Sequence, residues 1–326
     1  MHKLSVLLPN FNNGKYLSEC LNSLFNQSYQ DFHIYFVDDC STDNSLSVLS
    51  EFPSEKITLI KLEKQSGIVE AMNAGLDKIN SEYFIRMDGD DYCDTSRFEK
   101  LVGFLDENPD VDICGSAIQA FGIRSDVQKY TSDSNMNKAN LLFGHSIGHA
   151  TCIFRTKLLK SNNIKYVDQF YRLEDYQLFY NLKEIANSTS LPDILYFYRQ
   201  EAYNYNEDIE QKKLLAYRKF YEMVLSDLFE NVDERDVELQ MQLAKKKRPT
   251  FNLKEYKDFV ERLIKANTIK QIYPTKEIGL ILNAKLVQIK FLLIDNNKLE
   301  FIELMKHGLS DFSLVKHYLK RKFKSK

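Results

Sequence analysis

The stretch LSVLLPNFNNGKYLSECLNSLFNQSYQDFHIYFVDD, residues 4–39, contains two short apolar runs with a helical pattern between them. The runs Leu4–Leu8 and Ile34–Val37 are rich in aliphatic and aromatic residues, which is typical of buried strands. Between them, leucines recur every three or four residues, as they do on one face of a helix. A strand, a helix and a second strand in this order predict two parallel strands joined by a right-handed crossover.

The same alternation of strand and helix continues beyond this stretch. Further strand-like runs are Ile57–Leu62, Tyr83–Met87 and Val111–Ile118. Nine of the eleven glycines lie in the first 150 residues, whereas the last third of the chain shows apolar residues at helical spacing. We therefore expect an α/β domain over 1–205, with a mostly parallel sheet flanked by helices, and a helical region over 206–326.

Composition and charge argue against several classes of protein. Hydrophobic residues make up 44% and charged residues 28% of the 326, as in ordinary globular proteins. A net charge of −2 argues against a general nucleic-acid binder, which usually carries a basic excess. The five cysteines form no C-x-x-C pair, so we expect free thiols in a reducing compartment.

The N-terminal apolar run is too short for a signal peptide, and no apolar stretch reaches the roughly 18 residues of a membrane span. We therefore expect a soluble, cytoplasmic protein. The last eleven residues, KHYLKRKFKSK, hold six Lys or Arg. They are explained equally well as a solvated helix end or as a peripheral contact with anionic lipid at the inner face of the membrane.

Carboxylates gather where the predicted strands end. Asp38 and Asp39 follow the second strand, and Asp88, Asp90 and Asp91 follow the fourth. In open parallel sheets, ligands bind outside the carboxyl ends of the strands. A D-x-D at such a place suits Mg²⁺ or Mn²⁺, because these ions are held by carboxylates together with substrate phosphates. The alternative for a lone D-x-D is a turn whose acids cap the next helix, but Asp94 or Thr95 can do that here.

A second acidic pair and two histidines lie further along the chain. Glu174 and Asp175 precede an amphipathic segment, where acids also stabilise a helix N-terminus through its dipole. His145 and His149 are four residues apart, but H-S-I-G-H lacks the glutamate of the zinc motif H-E-x-x-H. The glycine patterns of P-loop and dinucleotide-binding proteins are absent from the sequence as well.

Several of these segments resemble family 2 glycosyltransferases, which have the nucleotide-sugar-binding GT-A fold. The likeness begins in VLLPNFNNGKYLSECLNSLFNQSYQDFHIYFVDDCSTDNS and continues through QSGIVEAMNAGLDKINSEYFIRMDGDD. IGHATCIFR and YRLEDYQLFYNL resemble the acceptor-side region of that family, and LYFYRQ resembles the segment that closes its catalytic domain. The resemblance covers roughly residues 3–205 and is more specific for the family than for the substrate.

The resemblance implies a role for individual residues. Asp175 matches the position of the general base, and Asp88 and Asp90 match the D-x-D that holds Mn²⁺ or Mg²⁺, with Asp90 as the direct ligand and Asp88 near the ribose or the metal. Asp39 would accept a hydrogen bond from the base, and Asp91 is expected to be structural. The residues expected to line the nucleotide-sugar site are Pro9, Phe11, Asn12, Asp39, Gly67, Arg86, Asp88 and His149.

The expected reaction is metal-dependent, inverting transfer of a sugar from a nucleoside diphosphate sugar to a hydroxyl group. The donor is expected to be a UDP-sugar, with GDP- and dTDP-sugars as alternatives, and the acceptor a glycan or lipid-linked saccharide. The resemblance implies a hexosyltransferase-like enzyme of bacterial surface polysaccharide synthesis, such as capsule or O-antigen. Two alternatives stay open at this point: a nucleotidyltransferase acting on sugar phosphates, and a non-catalytic scaffold that binds a sugar nucleotide.

Overall fold

The computed structural model describes residues 2–201 and 206–295. The chain divides into two compact units between Ala216 and Tyr217. The strands are β1 (Leu4–Asn10), β2 (Phe32–Asp38), β3 (Ile57–Lys61), β4 (Tyr83–Arg86), β5 (Tyr92–Cys93), β6 (Ile113–Gly122), β7 (Val127–Gln128), β8 (Ile153–Arg155) and β9 (Ser188–Gln200). The helices are α1 (Gly14–Phe25), α2 (Ser45–Leu49), α3 (Ile68–Lys78), α4 (Arg97–Glu107), α5 (Ser134–Asn140), α6 (Thr156–Ser161), α7 (Glu174–Leu182), α8 (Glu207–Ser226), α9 (Glu234–Leu243), α10 (Leu253–Lys270) and α11 (Thr275–Asp295).

The first unit is built on one sheet with the strand order β3-β2-β1-β4-β8-β6-β9-β5, and β7 pairs with β6 at its side. The strands β3, β2, β1 and β4 run parallel to one another, as the sequence predicts. Strand β8 runs antiparallel between β4 and β6. The start of β8 therefore lies beside the end of β4, where the D-x-D acids begin.

Strand β1 is buried along its whole length, as expected for a parallel strand covered on both faces. Val6 and Leu8 belong to the core cluster that includes the apolar faces of α1 and α4. On the other face, α3 packs so closely that a Cβ on Gly75 would lie 2.1 Å from the Leu7 side chain. Helices on both faces hold the central strands in place, and the ends of these strands carry the candidate site.

The five strands predicted from the sequence are all present, within one to four residues at their ends. The sequence did not predict β5, β7, β8 and β9, of which β9 is the longest strand at 13 residues. Strand β9 contains Pro192 and polar residues, so its pattern does not alternate cleanly. The five cysteines are free thiols, as expected.

The second unit is helical over its described residues, as the spacing of its apolar residues predicts. Tyr256, Phe259, Val260 and Leu263 form the buried face of α10. The unit boundary falls within α8, about ten residues after the boundary expected from the sequence. In the described part of the chain, no helix combines the length and the apolar character needed to cross a bilayer. The basic segment 316–326 lies outside the described residues.

A buried arginine joins the end of β4 to the turn that precedes β8. The side chain of Arg97 is fully buried, and its Nη2 donates to the carbonyl oxygens of Arg86, at 3.2 Å, and Ala150, at 2.7 Å. Its guanidinium also lies 4.9 Å from the centre of the Tyr196 ring. One side chain thus fixes the strand that carries the D-x-D against the segment that carries His149.

We predict that Arg97→Met lowers the free energy of unfolding by about 2–4 kcal/mol, because two partly buried carbonyl groups lose a buried donor. Urea denaturation monitored by circular dichroism measures this change. Arg124→Met, which removes an exposed arginine, serves as the control and should change stability by less than about 0.5 kcal/mol. Equal stability of the two variants would show that Arg97 does not hold these segments together.

Candidate active site

The first acid of the D-x-D is paired with an arginine two residues before it. Side chains at positions i and i+2 of a strand point to the same face, which brings Arg86 and Asp88 together at the end of β4. Both guanidinium Nη atoms contact the Asp88 carboxylate, each at 2.6 Å. Burial disfavours the charge on Arg86, but Asp88, together with smaller contributions from Tyr196, Tyr166 and Glu174, raises the pKa of the guanidinium.

The second acid of the D-x-D, Asp90, is partly buried, and within the described residues no other residue hydrogen-bonds its carboxylate. Burial and the nearby Asp88 raise its pKa above the usual value. Both effects penalise the ionised form, so a cation placed here would be strongly favoured. Asp90 is therefore the carboxylate in this cluster that is poised to hold a positive ligand.

The third acid, Asp91, has a structural task, as expected. It is buried, and it accepts hydrogen bonds from the Tyr196 hydroxyl and the Arg199 backbone amide, each at 2.7 Å. Burial and Asp88 raise its pKa to about 8. The Arg199 side chain donates in addition to the Asp90 carbonyl oxygen at 2.8 Å. Strand β9 thereby holds the acidic turn through the Asp91 carboxylate and the Asp90 carbonyl oxygen.

Gly89 lets the segment around Asn10 and Asn13 pack closely against it. A Cβ at this position would lie 3.1 Å from Asn13 Nδ2 and 3.2 Å from Asn10 Oδ1. Asn10 is buried and hydrogen-bonded to Ser41 Oγ at 3.0 Å, so it has little room to move. The glycine thus allows close approach of two segments of this chain, a constraint that the sequence alone did not indicate.

Asn12 also links the loops that follow β1 and β2. Asn12 Oδ1 accepts from the backbone amides of Thr42, at 2.7 Å, and Asp43, at 3.3 Å, while its own amide donates to Ser41 Oγ at 3.1 Å. Asn12 has φ 55°, in the left-handed region that asparagine tolerates. Its amide oxygen is therefore already engaged within the protein. The neighbouring Phe11 is exposed, at 40%. Pro9 is buried within β1.

Asp39 holds the turn that begins α3. Its two carboxylate oxygens accept from the backbone amides of Ser66, at 2.6 Å, and Gly67, at 2.8 Å. Gly67 has φ 87° and ψ 172°, a conformation that is essentially restricted to glycine. A Cβ on Gly67 would meet nothing within 4 Å, so the space in front of it is open. The structure thus brings together two residues expected at the nucleotide.

His149 is buried beside the end of β4, in the turn before β8. Its Nε2 lies 2.9 Å from the Tyr166 hydroxyl, and its ring packs edge-on against Phe154 and Phe179. Burial, followed by the positive charge of Arg86, lowers its pKa well below the ordinary value. His149 is therefore a neutral imidazole that supports the site from within rather than an exposed side chain.

Asp175 lies in the first turn of α7 and is partly exposed, at 27%. One carboxylate oxygen accepts from the Tyr176 amide at 2.6 Å, and the other lies 3.9 Å from Nδ1 of His145. The neighbouring Glu174 has a raised pKa because it is buried and close to Asp175. The positive charge of Arg86 lowers the pKa of Glu174. The start of α7 is therefore close enough to the end of β4 for their charges to interact.

The sequence did not predict the contacts of several residues that hold or surround the expected ones. These are Tyr166, bonded to His149, His145 near Asp175, and Tyr196 and Arg199 on β9. Tyr196 and Tyr198 stand two apart in a strand and so face the same side, which could have indicated a shared site. Tyr198 is 42% exposed, and burial followed by the acids 91, 88 and 90 raises its pKa.

The residues present fit a divalent cation that is completed by phosphate. In the ranges 2–201 and 206–295, no group of three or more His, Cys, Asp or Glu side chains could hold an ion by itself. Mg²⁺ sites commonly use only one or two carboxylates, with substrate phosphates as the remaining ligands. Asp90, whose ionised form is penalised by burial and by Asp88, could supply such a carboxylate.

Comparison with known proteins identifies the family of this chain. The model of glycosyl transferase family 2 matches residues 5–165, about half of the chain, and this range includes the D-x-D acids. The chain belongs to glycosyl transferase family 2. The family membership expected from the sequence is thereby confirmed.

Two curated relatives are bacterial glycosyltransferases. An uncharacterized glycosyltransferase of Haemophilus influenzae is 26% identical over 230 residues, which make up 65% of this chain and 71% of that protein. The poly(ribitol-phosphate) beta-N-acetylglucosaminyltransferase TarS of Staphylococcus aureus is 30% identical over 208 residues, 61% of this chain and 35% of TarS. The match thus spans about a third of TarS.

Solved structures confirm the expected fold. TarS 1–349 in complex with UDP-GlcNAc aligns with a TM-score of 0.59 and 21% identity, over 91% of this chain and 92% of that one. The mannosyltransferase PcManGT of Pyrobaculum calidifontis, solved with GDP-Man and Mn²⁺, aligns with a TM-score of 0.50 and 15% identity, over 87% and 74%. The α/β sheet of this family 2 member therefore has the GT-A-type architecture of these glycosyltransferases.

The low pKa of His149 leads to a prediction for stability at acidic pH. Unfolding exposes this imidazole, which then takes up a proton below about pH 6.5, so His149 makes the folded state less stable as the pH falls. Its contribution should amount to a loss of about 1.4 kcal/mol between pH 7.5 and 5.5. Urea denaturation at both pH values measures it.

His149→Gln is the matched variant, because glutamine can still hydrogen-bond Tyr166 but does not titrate. We expect its unfolding free energy to change with pH by about 1.4 kcal/mol less than that of the wild type. The comparison isolates His149 from His33, whose pKa is also lowered by burial. Identical pH dependence in the two proteins would contradict the buried, neutral imidazole.

Proposed function

We propose that this family 2 glycosyltransferase moves a sugar from a nucleoside diphosphate sugar, with UDP-sugar as the first candidate, to a hydroxyl group of a glycan or lipid-linked acceptor. The transfer would depend on Mn²⁺ or Mg²⁺ and would invert the anomeric configuration. The observation that carries the proposal is Asp90, a partly buried carboxylate without a protein partner in the described residues, at the ends of β1, β2 and β4. This is the edge at which parallel sheets bind ligands.

The donor site is proposed to lie over the loops that follow β1 and β2. Phe11 is exposed there, and the open space in front of Gly67 lies beside Asp39. Each oxygen of Asp39 accepts one backbone amide and keeps a second lone pair that can accept a hydrogen bond from a nucleobase. The UDP-GlcNAc bound by TarS and the GDP-Man bound by PcManGT support a nucleoside diphosphate sugar as the donor.

In this proposal Asp90 holds the divalent cation and Asp175 acts as the general base. When bound, the cation supplies stabilisation of the negative charge that develops on the departing diphosphate. Asp175 accepts the proton of the acceptor hydroxyl as that oxygen attacks the anomeric carbon from the face opposite the diphosphate. A single displacement of this kind inverts the anomeric carbon and needs no covalent intermediate on the protein.

The acceptor is proposed to be a component of a bacterial surface polymer. TarS is named for a poly(ribitol-phosphate) acceptor. Another relative, 28% identical over 199 residues, is an amylovoran biosynthesis glycosyltransferase of Erwinia amylovora. A hexosyltransferase acting on such polymers or their lipid-linked precursors fits both names.

A donor screen tests the proposed reaction. The protein is incubated with UDP-, GDP- and dTDP-sugars in the presence of Mn²⁺ or Mg²⁺, and release of the nucleoside diphosphate is measured. We expect release from one of these donors, abolished by EDTA. Release of pyrophosphate from a nucleoside triphosphate and a sugar phosphate would instead indicate a nucleotidyltransferase. Thermal stabilisation by a donor without any turnover would indicate a non-catalytic scaffold.

The role of Asp175 is tested by Asp175→Asn. Asparagine keeps the shape of the side chain but does not accept a proton, so we expect kcat to fall about 100- to 10,000-fold while donor affinity is retained. Asp168→Asn, which neutralises an exposed acid seven residues earlier, is the control and should keep wild-type turnover. Turnover of Asp175→Asn at the level of this control would remove Asp175 from the mechanism.

A further inference from the structure

We propose that Arg86 is the built-in counter-ion of Asp88, so that before the donor arrives only Asp90 of the D-x-D is available to a divalent cation. This inference rests on the proposed metal dependence and deepens it. Both carboxylate oxygens of Asp88 contact the guanidinium, each at 2.6 Å. The charge of Asp88, the first acid of the motif, is therefore already neutralised by Arg86 before any ligand binds.

The surroundings of Arg86 show why it keeps Asp88. Its side chain is 13% exposed, and its third nitrogen, Nε, is buried without a hydrogen-bond partner in the described residues. Asp88 is also the only carboxylate within salt-bridge distance of this guanidinium in the described part of the chain. If a cation took Asp88, a buried guanidinium would be left without its counter-charge, which is strongly unfavourable.

Tyr196 and Arg199, which also contact this turn, likewise favour a paired Asp88 and an open Asp90. The Tyr196 hydroxyl lies 3.5 Å from its Oδ2 and donates to Asp91 at 2.7 Å, so the acids 88 and 91 share one rigid neighbour. Arg199 donates to the Asp90 carbonyl oxygen and leaves the Asp90 carboxylate open. The turn is therefore built asymmetrically, with one acid paired and the next acid unpaired.

A consequence is that tight metal binding requires the diphosphate. A single carboxylate is a weak site for Mg²⁺ or Mn²⁺, and these ions are held well when phosphate oxygens join one or two carboxylates. Because Asp88 is paired with Arg86, the site offers only one carboxylate when no donor is bound, which is too few ligands to hold the ion tightly. The metal and the nucleotide sugar would then bind together, and Arg86 would set the size of that coupling.

The test is a Mn²⁺ titration of the full chain without nucleotide, followed by electron paramagnetic resonance of the free ion. Arg86→Met releases Asp88, and we expect its Mn²⁺ affinity to rise about tenfold over the wild type, as for one added carboxylate ligand. Adding Asp88→Asn to this variant should return the affinity to the wild-type value. No gain in Arg86→Met, or a gain that survives Asp88→Asn, overturns the proposal.

Arg124→Met is the matched control, because Arg124 also pairs with an aspartate two residues away but on an exposed loop. It should leave Mn²⁺ affinity unchanged. If Arg86→Met does not fold, as judged by its thermal transition, two single variants test the proposal instead. In the wild-type background Asp88→Asn should alter donor-free Mn²⁺ affinity less than twofold, whereas Asp90→Asn should abolish binding. Equal losses in both variants overturn the proposal.

The experiment separates this inference from the proposed function. Wild-type protein is titrated with Mn²⁺ again in the presence of UDP, and the expected result is a clear gain in affinity. A gain with UDP together with no effect of Arg86→Met would refute only the role of Arg86. No gain with UDP, GDP or dTDP would refute the metal-dependent donor site itself.

Discussion

The structure depends on the parallel pairing of β1 with β2 on one side and β4 on the other. In this register Asn10 lies opposite Asp38, and Leu7 lies opposite Arg86, so three strands end at one edge within a few residues of one another. A shift of one residue in either pairing would turn every side chain to the opposite face. The acids at the strand ends can form one site only because helices packed on both faces fix this register.

The periodicity of strands and helices predicted most of the part of the site that lies at the ends of β1, β2 and β4. The buried runs 4–8, 34–37 and 83–87 placed β1, β2 and β4, and the rule that ligands bind beyond the carboxyl ends of parallel strands directed attention to Asp39, Asp88 and Asp90. The second half of the site depends on long-range pairing that the sequence did not predict. Strand β8 runs antiparallel to β4, and this pairing places His149 beside the end of β4.

The contacts within the site followed even less from the sequence. D-x-D resembles a pair of equivalent metal ligands, but in the structure Asp88 is held by Arg86, whereas Asp90 is open. Asn12 ties two loops together, and the two oxygens of Asp39 hold the turn before α3. Such roles depend on which hydrogen-bond partners the folded chain places beside each side chain. Spacing along the chain does not report that.

The edge formed by β1, β2 and β4 is proposed to bind a nucleotide sugar through a metal on Asp90. A crystal structure with Mn²⁺ and the donor chosen by activity tests it most directly. We expect the ion about 2.0–2.3 Å from an Asp90 carboxylate oxygen and from diphosphate oxygens, with the sugar between this ion and Asp175. A donor bound at another place, or an ion held without Asp90, would contradict the proposed site.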